Sequence, residues 1–540
     1  LSYNMKLFFY VGAFCLLLAA AACTSSKKTV TATTAPKPKP QKAYTRETPT
    51  DDGMISLTFL QINDVYEIGA LSEGKVGGMP RVATLKKRLQ QKNPNTFTVL
   101  AGDFLSPSLL GTIKHEGKRI KGKQMVDAMN VAGVDLVTFG NHEFDIKEEE
   151  LLERLDESNF TWVSGNVRHR TKAGTLEPFM VKGNPVPDTH ILHIKDADGT
   201  SAKVGIIGLT LPANKADFVW YGSVDSAATA GYNYLKDKTD FVVAITHLNM
   251  NEDLALANKM TGVRLSMGGH EHNNMMQKFK NLIVAKADAN AKTAYVHQIS
   301  FNKAQPHLGI GISSKLTNLD ELLPEDAATK AVVDKWQKIG DDNMKSLGFD
   351  PADVVMTLPK GKTLDGREQT IRNIPCELPQ LVAKAMSAVA PKSVAAIMNS
   401  GSIRIDDELS GKITQYDILR ALPFGGSVVE VDMKGSLLKK VLDIGKANKG
   451  SGGFLQHDRI VYSDSEKQWL LGGKAIKDSQ SYRIALGDFL LTGMEKGLPF
   501  LTKGNPEITQ VYAPNPDDKS DLRNDVRLAL IDYLKKTNTK

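Results

Sequence analysis

The chain has 540 residues, 41% hydrophobic and 24% charged. That is ordinary for folded globular protein and long enough for two or more domains with cores of their own, which excludes a disordered or fibrous chain. The formal net charge is +7, but seven of the basic side chains and one acidic side chain fall in residues 1–50, leaving 61 basic and 60 acidic beyond; the basic balance belongs to a tail, and no nucleic-acid face is read in it.

Met5-Lys6 opens an almost wholly apolar run, Leu7–Ala22, that ends in Ala19-Ala20-Ala21-Ala22-Cys23. A basic start, a short apolar middle and a small-residue end predict a signal peptide over residues 1–23, too short for a membrane span. The residues before Cys23 resemble a bacterial lipoprotein box, with Ala20 where Leu is commonest. The resemblance implies export and a lipidated Cys23 that tethers the protein to a membrane surface. The other reading is a plain signal peptide with an incidental Cys. If Cys15 leaves with the signal and Cys23 is lipidated, Cys376 alone remains, and a disulfide framework is excluded. Residues 24–53, with Pro36-Lys-Pro-Lys-Pro40, hold too few apolar residues to pack and read as a flexible tether.

Over residues 54–320, five apolar runs each stop on a metal-ligating residue type. Ile55–Ile62 leads to Asp64, Phe97–Leu100 to Asp103, and Leu136–Phe139 to Asn141-His142. Phe241–Ile245 leads to His247, and Leu265–Met267 to His270-Glu271-His272. Such runs read as buried strands, and open α/β sheets place their sites at the carboxyl ends of strands. Carboxylate, amide and imidazole groups suit hard divalent or zinc-like cations, and a bridged pair of such ions can grip both ends of an in-line phosphoryl displacement. Strands are expected to continue through Tyr295–Ile299 and Leu308–Ile312. Residues 321–350 read as a helical linker, with Val332, Val333, Trp336 and Ile339 as its packing stripe. Residues 351–540 read as a second domain, with helices near Leu378–Ala390 and Ser436–Ile444 and strands at Ala395–Met398 and Gly426–Met433.

The series Asn63-Asp64, Gly102-Asp103, Gly140-Asn-His-Glu143, Thr246-His247 and Gly269-His-Glu-His272 resembles the calcineurin-like metallophosphoesterases. More narrowly, Gly140-Asn-His-Glu-Phe-Asp145 resembles the secreted bacterial 5′-nucleotidase and UDP-sugar hydrolase family. The resemblance implies an α/β, two-domain fold: an N-terminal metallophosphoesterase β-sandwich flanked by helices, and a C-terminal α/β domain that binds substrate. It implies two divalent ions, of Mn, Zn, Fe, Co or Mg. Asp103 would bridge them, Asp64 and His272 would hold one, and Asn141, His247 and His270 the other. It makes His142, positioned by Asp145, the stabiliser of charge on the phosphoryl group or leaving oxygen, and a metal-bound hydroxide the nucleophile. The family's first motif is Asp-x-His, and here the His position is Tyr66. Tyr66 can ligate as a phenolate, hydrogen-bond a metal-bound water, or leave that metal weakly held. A free Tyr titrates near about pH 10, which favours the second role. The change points towards manganese or iron.

In the second domain, Asn399-Ser-Gly-Ser-Ile-Arg404 resembles the family's substrate loop, and Pro423-Phe424-Gly425 the turn carrying one base-stacking aromatic. Tyr482–Gly493 resembles the segment carrying the other, Phe489. Phe424 and Phe489 are then the candidate base clamp, with core packing as their bland alternative. Arg372 resembles a phosphate-binding Arg. Three motifs depart from the family: Gly426 replaces Asn, Glu495 stands at an Asp position that would hold the ribose, and Leu378-Pro379-Gln380 replaces Leu-Gly-Asn. The implied reaction is hydrolysis of 5′-nucleotides or related esters to nucleoside and phosphate, with no nucleic-acid or protein partner. Two rivals follow from the departures: a non-nucleotide or sulfur-linked substrate, and a degenerate surface protein that binds nucleotide or metal without turnover. Arg81, in Gly77-Gly78-Met-Pro-Arg81, is expected to be structural.

Overall fold

The computed structural model describes residues 51–213 and 216–538. The expected signal peptide, Cys23 and nearly all of the tether lie outside the described residues. Among the described residues, no helix is long and apolar enough to cross a membrane.

The first body is two six-stranded sheets packed face to face. In the first sheet the order is Ile310–Asn318, Thr293–Asn302, Met54–Ile62, Thr96–Leu100, Leu136–Val137 and Thr161–Trp162. In the second it is Thr189–Lys195, Ser201–Thr210, Phe241–His247, Leu265–Gly268, Leu282–Lys286 and Met275–Phe279. Side-chain alternation decides which layer each residue joins. Ile55, Leu57 and Phe59 meet Val204, Ile206, Val243 and Ile245 between the sheets. The opposite parity, Leu60 and Ile62, packs outward against the helices Met79–Lys92 and Lys123–Ala132. On the second sheet Ile207, Leu209, Val242 and Ala244 face Val224–Leu235 and Met250–Ala255. Burial on both faces explains why these strands read as nearly continuous apolar runs. The layers are helix, sheet, sheet, helix.

The strand pairing also positions the site. Met54–Ile62 runs parallel to Thr96–Leu100, with Ile62 opposite Leu100, and Leu100 stands opposite Val137. In the other sheet Thr210 is level with His247, and Thr246 with Gly268. Five carboxyl ends therefore reach one edge of the sandwich. Leu308 departs from the expected strand: Pro306–Leu308 is a 3-10 turn closed by Gly309 at φ 69°, and the strand starts at Ile310.

The expected linker is the helix Ala327–Ser346, capped by the Asp326 side chain accepting from the Thr329 amide. Val333 and Trp336 sit in the first core, while Met344 sits in the second. The second body is a five-stranded sheet in the order Leu455–Asp458, Ala395–Asn399, Ser481–Gly487, Val428–Lys434, Ile508–Tyr512. Helices Glu377–Val389 and Val526–Asn538 cover one face through Leu378, Val382, Met386, Leu530 and Leu534. Helix Gly435–Ala447 covers the other through Leu437, Leu438, Val441 and Leu442. Arg81 is structural: its guanidinium donates to the carbonyls of Leu323, Gly77 and Gly74.

Candidate active site

At the shared edge of the sandwich, Asp64, Asp103 and His247 bring one ligand atom each within 4.8 Å of the others, all buried. His247 Nε2 is 3.0 Å from Asp103 Oδ2, and His272 Nε2 is 3.3 Å from Asp64 Oδ1. The His270 ring stands beside that of His247 with centroids 5.4 Å apart. The His142 amide donates to Asp103 Oδ1 at 2.7 Å, and Asn141 is buried on the same turn. Asp64, Asp103 and His270 adopt φ of 52°, 58° and 84°, the left-handed region that non-glycine residues rarely occupy. Strain of that kind persists where the surrounding structure imposes it, typically at a functional site. Two glycines permit the convergence. A Cβ on Gly140 would stand 2.1 Å from Asp103 Oδ1, and one on Gly269 2.3 Å from the Ala101 carbonyl.

The donor set fits divalent cations. Asp64 Oδ1 and His247 Nε2 are fully buried and make only the ion-pair contacts above, with no well-aligned hydrogen bond, so both are ligand atoms that a cation can take. Carboxylate with imidazole is a chemistry that first-row divalent metals accept.

Electrostatics tie the cluster together. Burial alone would depress His247, but Asp103 and Asp64 beside it outweigh that and hold it at about 9. Burial opposes ionisation of both aspartates too, and neighbouring histidines still keep them below the usual carboxylate range. His270, half-buried and beside the His247 ring, is pushed down to about 3 by desolvation and then by His247. His142 donates from Nδ1 to Asp145 Oδ2 at 2.6 Å. Burial lowers its proton affinity, but Asp103 and Asp145 more than offset this and raise it to about 9. The Tyr66 hydroxyl lies 3.1 Å from His272 Nε2 and 3.4 Å from Asp103 Oδ2. Burial, then Asp103 and Asp64, raise it well above an ordinary phenol.

The second body presents a cavity of about 900 Å³ lined by Asn399, Phe424, Phe489 and Glu495, among others. Phe424 is 66% exposed and Phe489 40% exposed, which removes the core-packing alternative for both. Glu495 is buried and accepts from Asn399 Nδ2 at 2.9 Å. Arg404 lies over Phe424 at 6.0 Å and donates to Asp145 Oδ2 at 3.2 Å. The contacts Phe424, Arg404, Asp145, His142 and Asp103 thus run unbroken from the aromatic slot to the carboxylate cluster.

A calcineurin-like phosphoesterase profile matches residues 57–274, and a 5′-nucleotidase C-terminal domain profile matches residues 354–503. A 5′-nucleotidase of Mus musculus is 27% identical over 466 residues, covering 76% of this chain and 76% of that protein. The chain belongs to the 5′-nucleotidase family. Its fold is similar to that of a 5′-nucleotidase precursor from Thermus thermophilus, at 21% identity and a TM-score of 0.63 over 90% of this chain and 97% of the other. It is also similar to the fold of a sulfate thiohydrolase from the same genus, at 15% identity and a TM-score of 0.61 over 89% and 94%.

Within this 5′-nucleotidase fold, Asp64, Asp103, His142, Asp145, His247, His270 and His272 converge. Asn399, Arg404, Phe424, Phe489 and Glu495 gather at the slot and its rim. Arg372 does not reach the cluster; its guanidinium pairs with Glu368, which also lies 3.8 Å from Arg404. Gly426 replaces the family's Asn at a φ of 103°, where a Cβ would stand 2.9 Å from Asp488 Oδ1.

Two positioning groups escaped the sequence. Buried Glu143 accepts from the amides of Asp103, Phe104, Leu105 and Gly140 at 2.9, 2.7, 3.2 and 2.6 Å. Burial and Asp103 nonetheless raise its carboxyl to about 7. Asn63 donates to Asp64 Oδ2 at 2.8 Å and exchanges two hydrogen bonds with the Ala287 backbone. Both residues lie in the motifs, but most of their partners are backbone groups distant in sequence. Periodicity does not disclose such partners.

Proposed function

We propose that the protein hydrolyses 5′-nucleotides, or closely related nucleotide phosphate esters, to nucleoside and phosphate. The observation that carries this reading is the unbroken path from a buried carboxylate–imidazole cluster to an exposed aromatic slot. Two divalent ions would be held by Asp64, Asp103, Asn141, His247, His270 and His272, with Asp103 shared. When bound, such ions lower the pKa of water towards about 7 and polarise phosphoryl oxygens.

The chain's own residues do the rest. Phe424 and Phe489 take the base between exposed faces, a contact of about 1–3 kcal/mol per stacked base. Glu495, turned into the slot beside Asn399, can accept from a ribose hydroxyl. Arg404, at the junction of slot and cluster, suits planar recognition of the phosphate, and Arg372 supports it through Glu368. Against the effect of burial, Asp103 and Asp145 both raise the proton affinity of His142. It can stabilise charge on the phosphoryl group or give a proton to the leaving oxygen. Asp145 fixes its ring. Residues 51 onward would act outside the cytoplasm if residues 1–23 direct export, and a lipid on Cys23 would hold them at a membrane surface.

Phosphate release should be measured from nucleoside monophosphates, UDP-glucose, a 2′,3′-cyclic nucleotide and an aryl phosphate. Each assay is run without metal and with Mn, Zn, Mg, Co or Fe. Metal-dependent turnover that prefers nucleotides and falls at least about 100-fold in His142→Ala is the expected result. Turnover of the aryl phosphate alone would sink the nucleotide assignment. Silence with every metal would favour a binding protein, the rival that Tyr66 keeps open.

A further inference from the structure

One loop of the second body, residues 404–407, reaches three residues of the first. Arg404 takes Asp145, Asp407 pairs with Lys292, and Asp406 takes His272. The third contact is unusual in what it joins. His272 Nδ1 is 2.7 Å from the Asp406 carbonyl oxygen and 3.0 Å from its Oδ2. The same carboxylate accepts from the Glu368 amide through Oδ1 at 2.6 Å, and Asp406 itself sits at φ 42°. The opposite nitrogen of the ring, Nε2, faces Asp64 and the Tyr66 hydroxyl. His272 thus has one nitrogen in the cluster and the other held by a different body.

A metal-binding histidine needs its second nitrogen fixed by an acceptor, which sets the tautomer and orients the ring; losing that acceptor typically costs about 10–100-fold in metal affinity. Among the described residues, the acceptors given for His272 Nδ1 both belong to Asp406. We propose that Asp406 is the positioning residue for His272, so that metal binding through His272 is coupled to docking of the second body on the first. The proposal rests on the reading of His272 as a metal ligand. Coupling is reciprocal: the factor by which docking tightens the metal is the factor by which the metal favours docking.

The test uses the full chain, stripped by chelator and titrated with cobalt(II), read by calorimetry and by the visible absorption of the bound ion. Wild type should take up two ions. Asp406→Ala removes the carboxylate but keeps the backbone carbonyl, so it should weaken one of them about 10-fold, the lower end of that range, and alter its absorption band, leaving the other unchanged. Asp406→Asn, which unlike Ala also keeps one side-chain oxygen, should fall between, and it carries the test if the Ala variant does not fold. Lys412→Met removes an exposed pair with Glu73 across the same two bodies. It should leave both affinities at the wild-type value, which separates positioning of His272 from general loosening. His272→Ala should weaken the same ion as Asp406→Ala. If His272→Ala leaves both ions in place, the ligand reading fails and the proposal with it. If His272→Ala loses one ion while both Asp406 variants keep two at wild-type affinity, the proposal alone is overturned.

Discussion

At the residue scale, Glu143 shows how a side chain outside the ligand set governs it. Its carboxylate gathers four backbone amides that would otherwise be buried without an acceptor. A stranded buried donor costs about 1–3 kcal/mol. Glu143→Ala should therefore destabilise the protein by at least about 3 kcal/mol in denaturant titration and lower its metal content. A loss below about 1 kcal/mol would show that the turn does not depend on Glu143. Cys376 offers a pH readout away from the site. Partial burial, and then Asp365, push its thiol up to about 11. Thiolate is the reactive form, so alkylation should be slow at pH 8 and accelerate until about pH 11. Fast labelling at pH 7 would contradict the half-buried placement. The residues of the buried carboxylate–imidazole cluster were legible because each follows a run of apolar residues that stops abruptly. Glu143 and Asp406 were not, since what matters is the distant group each one touches.

At the element scale, the helix Gln415–Ala421 is pinned to the loop that carries Asp64 and Tyr66. Arg420 Nε donates to Glu67 Oε1 at 3.1 Å, and the Tyr416 hydroxyl to Glu67 Oε2 at 2.7 Å, all three within the interface. Phe424 follows three residues after the helix. Removing one partner of a buried pair leaves an uncompensated charge, at a cost of about 3–5 kcal/mol. Arg420→Ala should lose that much, by thermal or denaturant unfolding, whereas the double change Glu67→Leu with Arg420→Met should recover most of it. Equal losses would mean the packing, and not the charge, is what counts. Trp336, fully buried and donating to Asp127, should cost about 3–5 kcal/mol as Ala. The strands that lead to the candidate ligands and the helix Ala327–Ser346 were legible from apolar periodicity, whereas Thr189–Lys195 and Ser201–Thr210 were not read. Short strands such as Leu176–Glu177 and Asn184–Pro185 are largely exposed, so no burial pattern marks them.

At the scale of the whole molecule, the proposed function gives the phosphoryl chemistry to the first body's carboxylate–imidazole cluster and recognition of the base to the second body's slot. The sequence disclosed this division because the candidate metal ligands and the candidate aromatic clamp fall in separate halves of the chain. It did not disclose how the halves meet, since Arg404–Asp145, Arg420–Glu67 and Asp406–His272 join residues more than 130 positions apart. The most direct test of the division compares two substrates in one variant. Phe424→Ala with Phe489→Ala removes the slot's aromatic faces and leaves the cluster intact. With the metal that supports turnover, kcat/KM should be measured on a nucleoside monophosphate and on an aryl phosphate too small to span both bodies. The nucleotide value should fall by about 5–150-fold, as expected for the loss of about 1–3 kcal/mol of stacking on the base, while the aryl phosphate value stays within about threefold. An equal fall on both substrates, or no fall on the nucleotide, would contradict the account.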